Sequence, residues 1–226
     1  METFSFLNGL FGANTVRYNL LHVLAMHAGV LPGSAPERGA AKTGAVVAYA
    51  SGPAAGKAVY DTVSGTSWLL NANLAATESF GVGGTTDIPA TGNDNAITLP
   101  VLAPGGALHF NAAEKWVAGL SSVGYAGGRA WSLPALSDLQ RLYADLGLAP
   151  GNAALLASDR FGSFQNFQPF FYWACHSSSE GRCDYEHFQH VRAGIKMRWS
   201  FNFDTGFQGT SQETKQYFVL VYHPRH

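Results

Sequence analysis

The sequence predicts an α+β domain: two short helices packed on small antiparallel sheets, preceded by an N-terminal arm. Three observations carry that expectation. Two amphipathic helical patterns sit close together between Asn111 and Gly147. Strand-like apolar runs flank them on both sides, near Tyr60–Leu70, Phe170–Cys175 and Lys215–His223. No apolar run approaches the ~18 residues of a membrane span, so no membrane insertion is expected.

Length and composition narrow the class. A chain of 226 residues allows one domain of ordinary size plus an extension. Charged residues make up 13% of it, about half the usual ~25%. Glycine is abundant, with 26 residues. Such a surface is polar and smooth, which suits contact with other subunits. The formal net charge of −1 excludes the basic footprint that nucleic acid requires.

Residues 1–56 read as an assembly arm and linker, and residues 57–226 as the domain proper. Within the arm, Phe4, Phe6, Leu7, Leu10 and Phe11 are densely apolar. Val16 to His27 reads as a helix with Leu20, Val23, Leu24 and His27 on one face. Residues 1–30 lack a basic n-region, so no classical signal peptide is expected. The segment could dock on its own domain, or on a neighbouring subunit or larger assembly. From 31 to 56, Pro32, Pro36, Pro53 and several glycines punctuate a linker holding one short strand at Val46, Val47 and Tyr49.

Tyr60 to Val63 and Trp68 to Leu70 read as a strand pair turning at Ser64-Gly65, and Asn71 to Thr77 as a short helix. Residues 80–108 are loop-rich. Asp87, Asn93, Asp94 and Asn95 supply oxygens there that a calcium ion could use, although the same residue types are simply good turn formers.

The helical pair follows. Asn111 can cap the first helix, with Glu114 three residues on. Trp116, Val117, Leu120 and Val123 then recur at helical spacing, and Gly124 stops the helix. Pro134 favours the start of the second helix, whose stripe is Leu136, Leu139, Leu142, Tyr143 and Leu146, ending at Gly147. Trp131 and Leu133, in the link, read as a plug into a shared core.

Beyond the helices, Phe161, Phe164 and Phe167 alternate with Gln165, Asn166 and Gln168. Rings stack on the apolar face of a sugar and amides bond its hydroxyls, so these six residues form the candidate ligand-binding loop. The competing reading is that the rings pin the loop to the core. Residues 176–190 form an insertion. Val191 to Phe203 reads as a long strand, Asp204-Thr205-Gly206 as a hairpin turn, and Lys215 to His223 as the returning strand.

Cys175 and Cys183 are the two cysteines, and they flank a seven-residue loop rich in serine. They suit a disulfide in a protein that matures outside the cytosol, or two reduced thiols inside it. With His187, His190 and His176 they are also zinc-type ligands, but the spacing matches no common structural site, and no metal or other cofactor is assigned. No nucleophile elbow, phosphate loop or dinucleotide fingerprint occurs, so no catalytic residue is assigned.

Four stretches, in order, resemble one known family. They are Gly124-Tyr125-Ala126-Gly127 leading to Trp131-Ser132-Leu133-Pro134 and a Leu136-x-x-Leu139 helix; Tyr60-Asp61-Thr62-Val63-Ser64-Gly65-Thr66-Ser67-Trp68 with Asn71 to Ala75; Phe171-Tyr172-Trp173; and Trp199 to Gly206 with Tyr217 to Val221. Together they resemble the C-terminal domain family of the Legionella collagen-like adhesin, found in bacterial surface and phage proteins. The family's usual link is Trp-Arg-Leu-Pro; here Ser132 replaces the arginine. The resemblance covers about residues 57–223. It implies a C-type-lectin-like fold, which serves adhesins, receptor-binding phage proteins and one class of enzymes. The cysteine pair lies in an insertion, so that enzymatic activity is not carried over. Gln168-Pro169-Phe170 breaks the triplet of calcium-dependent sugar sites.

The expectation is thus a non-enzymatic surface or virion protein, extracellular or on a virion surface, of the phage tail, fibre or capsid-decoration type. Its partners would be further copies and other assembly proteins through residues 1–30, and a cell-surface glycan at the loops. The alternatives are a purely structural subunit with no host ligand, and a metal-dependent hydrolase around His187 and His190.

Overall fold

The computed structural model describes residues 24–36, 45–88, 97–150, 164–168, 170–175, 178–179, 182–183, 197–212 and 216–221. The architecture is α+β. A ten-stranded mixed sheet carries two helices, and two separate two-stranded antiparallel hairpins stand beside it. The strands are β1 (Leu24–Ala28), β2 (Ala35–Pro36), β3 (Val46–Ser51), β4 (Ala58–Asp61), β5 (Thr66–Leu69), β6 (Thr85–Ile88), β7 (Ile97–Pro100), β8 (Leu108–His109), β9 (Phe171–Ala174), β10 (Ser178–Ser179), β11 (Arg182–Cys183), β12 (Met197–Asn202), β13 (Gln208–Gln212) and β14 (Gln216–Val221). The helices are α1 (Phe110–Ser122) and α2 (Leu136–Asp145). The sheet runs β13-β12-β9-β14-β1-β5-β4-β3-β2, with β8 also pairing β14. β6 pairs β7, and β10 pairs β11.

The two helices fall where the apolar periodicity placed them. Gly124 ends α1 with a left-handed φ of 64°, its N–H donating to Ser121 O. Gly147 ends α2 the same way, and Leu148 N–H reaches back to Tyr143 O. The caps differ from expectation. His109 occupies the cap of α1 in extended geometry, and Asn111 lies inside the helix, where its side chain caps nothing. At α2 the Asp138 carboxylate accepts from Ala135 N–H at 3.1 Å. Trp131 and Leu133 are buried, as a plug should be.

Leu24–Ala28 corrects the arm helix. It is a strand, parallel to β14 on one side and antiparallel to β5 on the other. A segment read alone as a helical stripe is here held by backbone partners on both edges, and tertiary pairing overrides local periodicity. The boundary drawn at residue 57 falls between β3 and β4, which are themselves hydrogen-bonded neighbours. A buried chain of hydroxyls ties the preceding segment in. Leu31 N–H donates to Tyr49 Oη, Tyr49 Oη to Ser67 Oγ, and Ser67 Oγ to Gly29 O at 2.6 Å. Residues 1–23, the apolar front of the arm, lie outside the described residues.

The C-terminal hairpin is a second correction. Asp204-Thr205-Gly206 does turn β12 back on itself, but into β13, not into the last strand. β14 instead lies parallel to β9 and β1 and antiparallel to β8. β13, Gln-Gly-Thr-Ser-Gln, shows no apolar alternation because it is an edge strand.

One core lies between sheet and helices. Trp68, Trp116, Trp173, Tyr172, Phe110, Phe201, Phe203, Met26 and Leu31 are its largest fully buried side chains. Trp173, from the Phe171-Tyr172-Trp173 stretch, is fully enclosed, donates its indole N–H to Leu108 O and packs edge-on to Phe110 at 5.3 Å. No helix among the described residues is long and apolar enough to cross a membrane.

Candidate functional site

The aromatic–amide loop expected to bind a ligand is described from residue 164 to 168; Phe161 lies outside the described residues. Its backbone is bonded to the segment after β5. Gln165 N–H donates to Leu70 O at 2.7 Å, and Gln165 O accepts from Ala72 N–H at 2.8 Å. The rings and the amides then part company. Phe167 is 7% exposed and packs against Phe203 at 4.8 Å, Phe164 at 5.3 Å and Tyr172 at 5.5 Å. This corrects its reading as a stacking platform: its ring is a core residue. Phe164 is half-buried against it.

The amides face the other way. Gln165 and Asn166 are exposed, and Gln168 and Asn71 are half-buried. Asn71 Oδ1 accepts from Asn166 Nδ2 at 3.2 Å and from Asn73 N–H at 3.0 Å. Gln168 donates its Nε2 to Asn166 O, and its N–H to the buried Tyr172 hydroxyl, whose pKa burial pushes far up. Asn166 has a φ of 54°, a left-handed conformation that asparagine tolerates better than most residues. The result is a shelf of amides fixed from below, with donors and acceptors toward solvent and the half-buried Phe164 ring beside it. That chemistry suits hydroxyl groups, not charge.

A second cluster was not legible in the sequence. Asp61, 1% exposed, closes the turn after β4: its Oδ1 accepts from Val63 and Ser64 N–H, and its Oδ2 from the Ser64 hydroxyl at 2.6 Å. The Asp145 carboxyl, at the end of α2, lies beside Asp61. Burial raises the Asp145 pKa, the neighbouring Asp61 raises it further, and Arg141 opposes them. No spacing rule joins these two aspartates, since the fold alone brings them together.

A third cluster surrounds Tyr125. Phe80 packs edge-on to Tyr125 and to Trp116, at 5.8 and 5.1 Å. Lys57 Nζ lies 5.6 Å from the Tyr125 ring centre, a cation–π contact. Burial, then the Glu78 charge, raises the Tyr125 hydroxyl pKa. Phe80 and Ala126 both have left-handed φ, 45° and 54°. For a bulky aromatic such as Phe80 that is an outlier, held by packing on α1.

The cysteine and metal readings divide. Cys175 is buried and disulfide-bonded. A bridged sulfur is no thiolate, which removes Cys175 as a zinc ligand. Its backbone ties β9 to the start of α2, donating to Pro134 O and accepting from Leu136 N–H. Cys183 lies on β11, in register with Ser178. His176, His187 and His190 lie outside the described residues, as do Asn93, Asp94 and Asn95, while Asp87 lies on β6. Among the described residues no group of three His, Cys, Asp or Glu side chains is assembled to hold a metal ion. Comparison with family models, with curated proteins and with solved structures found no match.

Proposed function

We propose that this protein is a non-enzymatic surface or virion protein in which a C-type-lectin-like scaffold presents loops to a receptor or glycan. One observation carries the reading. The residues on which the family resemblance rests serve the scaffold: Trp68, Trp131, Leu133, Tyr172, Trp173 and Phe201 are buried in one core, and Asp61 closes a turn. What that leaves for recognition is the loop surface, the usual place for binding on a rigid framework. The shelf of Asn71, Gln165, Asn166 and Gln168 offers uncharged donors and acceptors, so its ligand would be polyhydroxylated and neutral. Binding of that kind is only weakly salt-dependent.

The purely structural reading has its own support. Asn71, Asn166 and Gln168 already bond one another, as they would in a loop that merely holds its shape. Screening the full-length protein against immobilised glycans decides between the two. The Asn166→Gly variant keeps the left-handed backbone and removes the amide, and Gln165→Ala removes its exposed neighbour. Each should weaken glycan capture about tenfold, the scale of one lost hydrogen bond, with unchanged melting. No captured glycan, or capture indifferent to both substitutions, sinks the shelf as a binding site and leaves the structural reading.

A further inference from the structure

The two ends of the large sheet are not alike. At one end β2 is two residues long, carries Pro36 and is irregular in register against β3. Those are the usual means of blunting an edge against pairing. At the other end β13 is five residues long and contains neither proline nor a charged residue. Among the described residues no strand pairs with its outer side. Phe207, just before it, is 42% exposed.

The direction of the free groups follows from the turn. Asn202 N–H donates to Phe207 O at 2.8 Å, and Ser200 Oγ approaches Gly209 O. In an antiparallel ladder the backbone groups of successive residues point to alternate sides. Phe207, Gly209 and Ser211 therefore direct theirs toward β12. Gln208, Thr210 and Gln212 direct theirs outward.

The strand also reads nearly the same in both directions: Gln208, Gly209, Thr210, Ser211, Gln212. We propose that two copies of the chain pair antiparallel through the outer edge of β13, about a two-fold axis at Thr210, joining their sheets into one. In that register Gln208 faces the partner subunit's Gln212, Gly209 the partner subunit's Ser211, and Thr210 the partner subunit's Thr210. Every outward-facing residue meets an outward-facing residue, so the free N–H and C=O groups satisfy one another. No charge opposes a like charge, the usual penalty when an edge meets its own copy. The contact is isologous, which closes at two chains. A single short strand pair lies at the small end of specific interfaces, so the dimer dissociates in the micromolar range.

The test is light scattering of the full-length protein across that range. The mass should rise from that of one 24.1 kDa chain to twice that value with concentration. Thr210→Lys places like charges on the axis, and Thr210→Pro removes an outward N–H without touching the β12 ladder. Both should stay at one chain throughout, with the wild-type melt. A wild-type protein that stays a single chain, a three-chain mass, or variants that still double would overturn the proposal. Amide hydrogen exchange on the wild type covers the case of a variant that fails to fold. The amides of Gln208, Thr210 and Gln212 should be protected at high concentration and released on dilution. Protection unchanged by dilution would mean that another part of the same chain covers the edge, and would equally overturn the pairing.

Discussion

At the scale of the residue, the most exacting arrangement is the contact of Asp145 with Asp61. Asp61 already accepts from Val63, Ser64 and the Ser64 hydroxyl, so its negative charge is fixed close to Asp145 by the turn. The Asp145 pKa is raised by burial first and by Asp61 second. A carboxyl whose folded pKa is raised gives stability that is fully present below the unfolded value of about 3.9 and is lost as pH rises through the folded value. The substitution Asp145→Asn supplies an N–H to Asp61 at every pH. Its melting temperature should exceed that of the wild type near neutrality, and the gap should close toward about pH 4. Parallel melting curves for the two proteins over that range would show that folding does not raise the Asp145 pKa. Asp61 was visible in the sequence as part of a strand-turn motif, but Asp145 was not. Phe167 errs in the opposite direction, since a ring between amides reads as a sugar platform and only its packing on Tyr172 and Phe203 shows it to be core.

At the scale of the element, α1 and the segment it holds show how a legible helix can carry an illegible contact. The stripe of Trp116, Val117 and Leu120 predicts the helix and its buried face. It does not predict that the chain at Phe80 crosses that helix so closely that a methyl group on Gly119 would lie 2.5 Å from Phe80 O and 2.9 Å from its Cβ. Trp116 fixes the same segment by donating its indole N–H to Glu78 O at 2.6 Å. Gly119 is thus a spacer, and the left-handed Phe80 is the form the crossing chain takes over it. In an ordinary exposed helix Gly→Ala stabilises, by up to about 1 kcal/mol. Here Gly119→Ala should destabilise by about 1–3 kcal/mol, because backbone must move to admit the methyl. Chemical denaturation measures the sign directly, and near-ultraviolet circular dichroism should register the displaced Phe80, Trp116 and Tyr125 rings. A stabilised variant would mean that the crossing segment yields freely. The same limit explains β13: its residues announce no strand because an edge with one polar face has little periodicity to show.

At the scale of the molecule, everything turns on β1. The sheet order places it between β14 and β5, so it joins the strands that follow the helices to those that precede them. The sequence disclosed the class of fold, both helices, β3, β4, β5 and β9, since each has an apolar period of its own. It concealed β1, because a central strand with partners on both sides is recognised by those partners and they are remote in the chain. The division of the chain at residue 57, into an assembly arm and linker and a domain, is drawn without that strand. Removing residues 1–56 would delete β1, β2 and β3 together. It would uncover the Trp68 side of β5 where Met26 stands in register, and take away the hydroxyl chain through Tyr49. Losing Met26 and Leu31 from the core alone removes about 2–5 kcal/mol for each side chain, against a typical total of about 5–15 kcal/mol. The sheet would also be left in two unpaired parts. A chain of residues 57–226 should therefore show no cooperative thermal transition, whereas one starting at residue 24 should keep it. If the 57–226 chain melts cooperatively as a folded monomer, β1 is an accessory strand and the domain begins at β4. If it does not, the strands before residue 57 are part of the scaffold, and any assembly function of the N-terminal region belongs to residues 1–23.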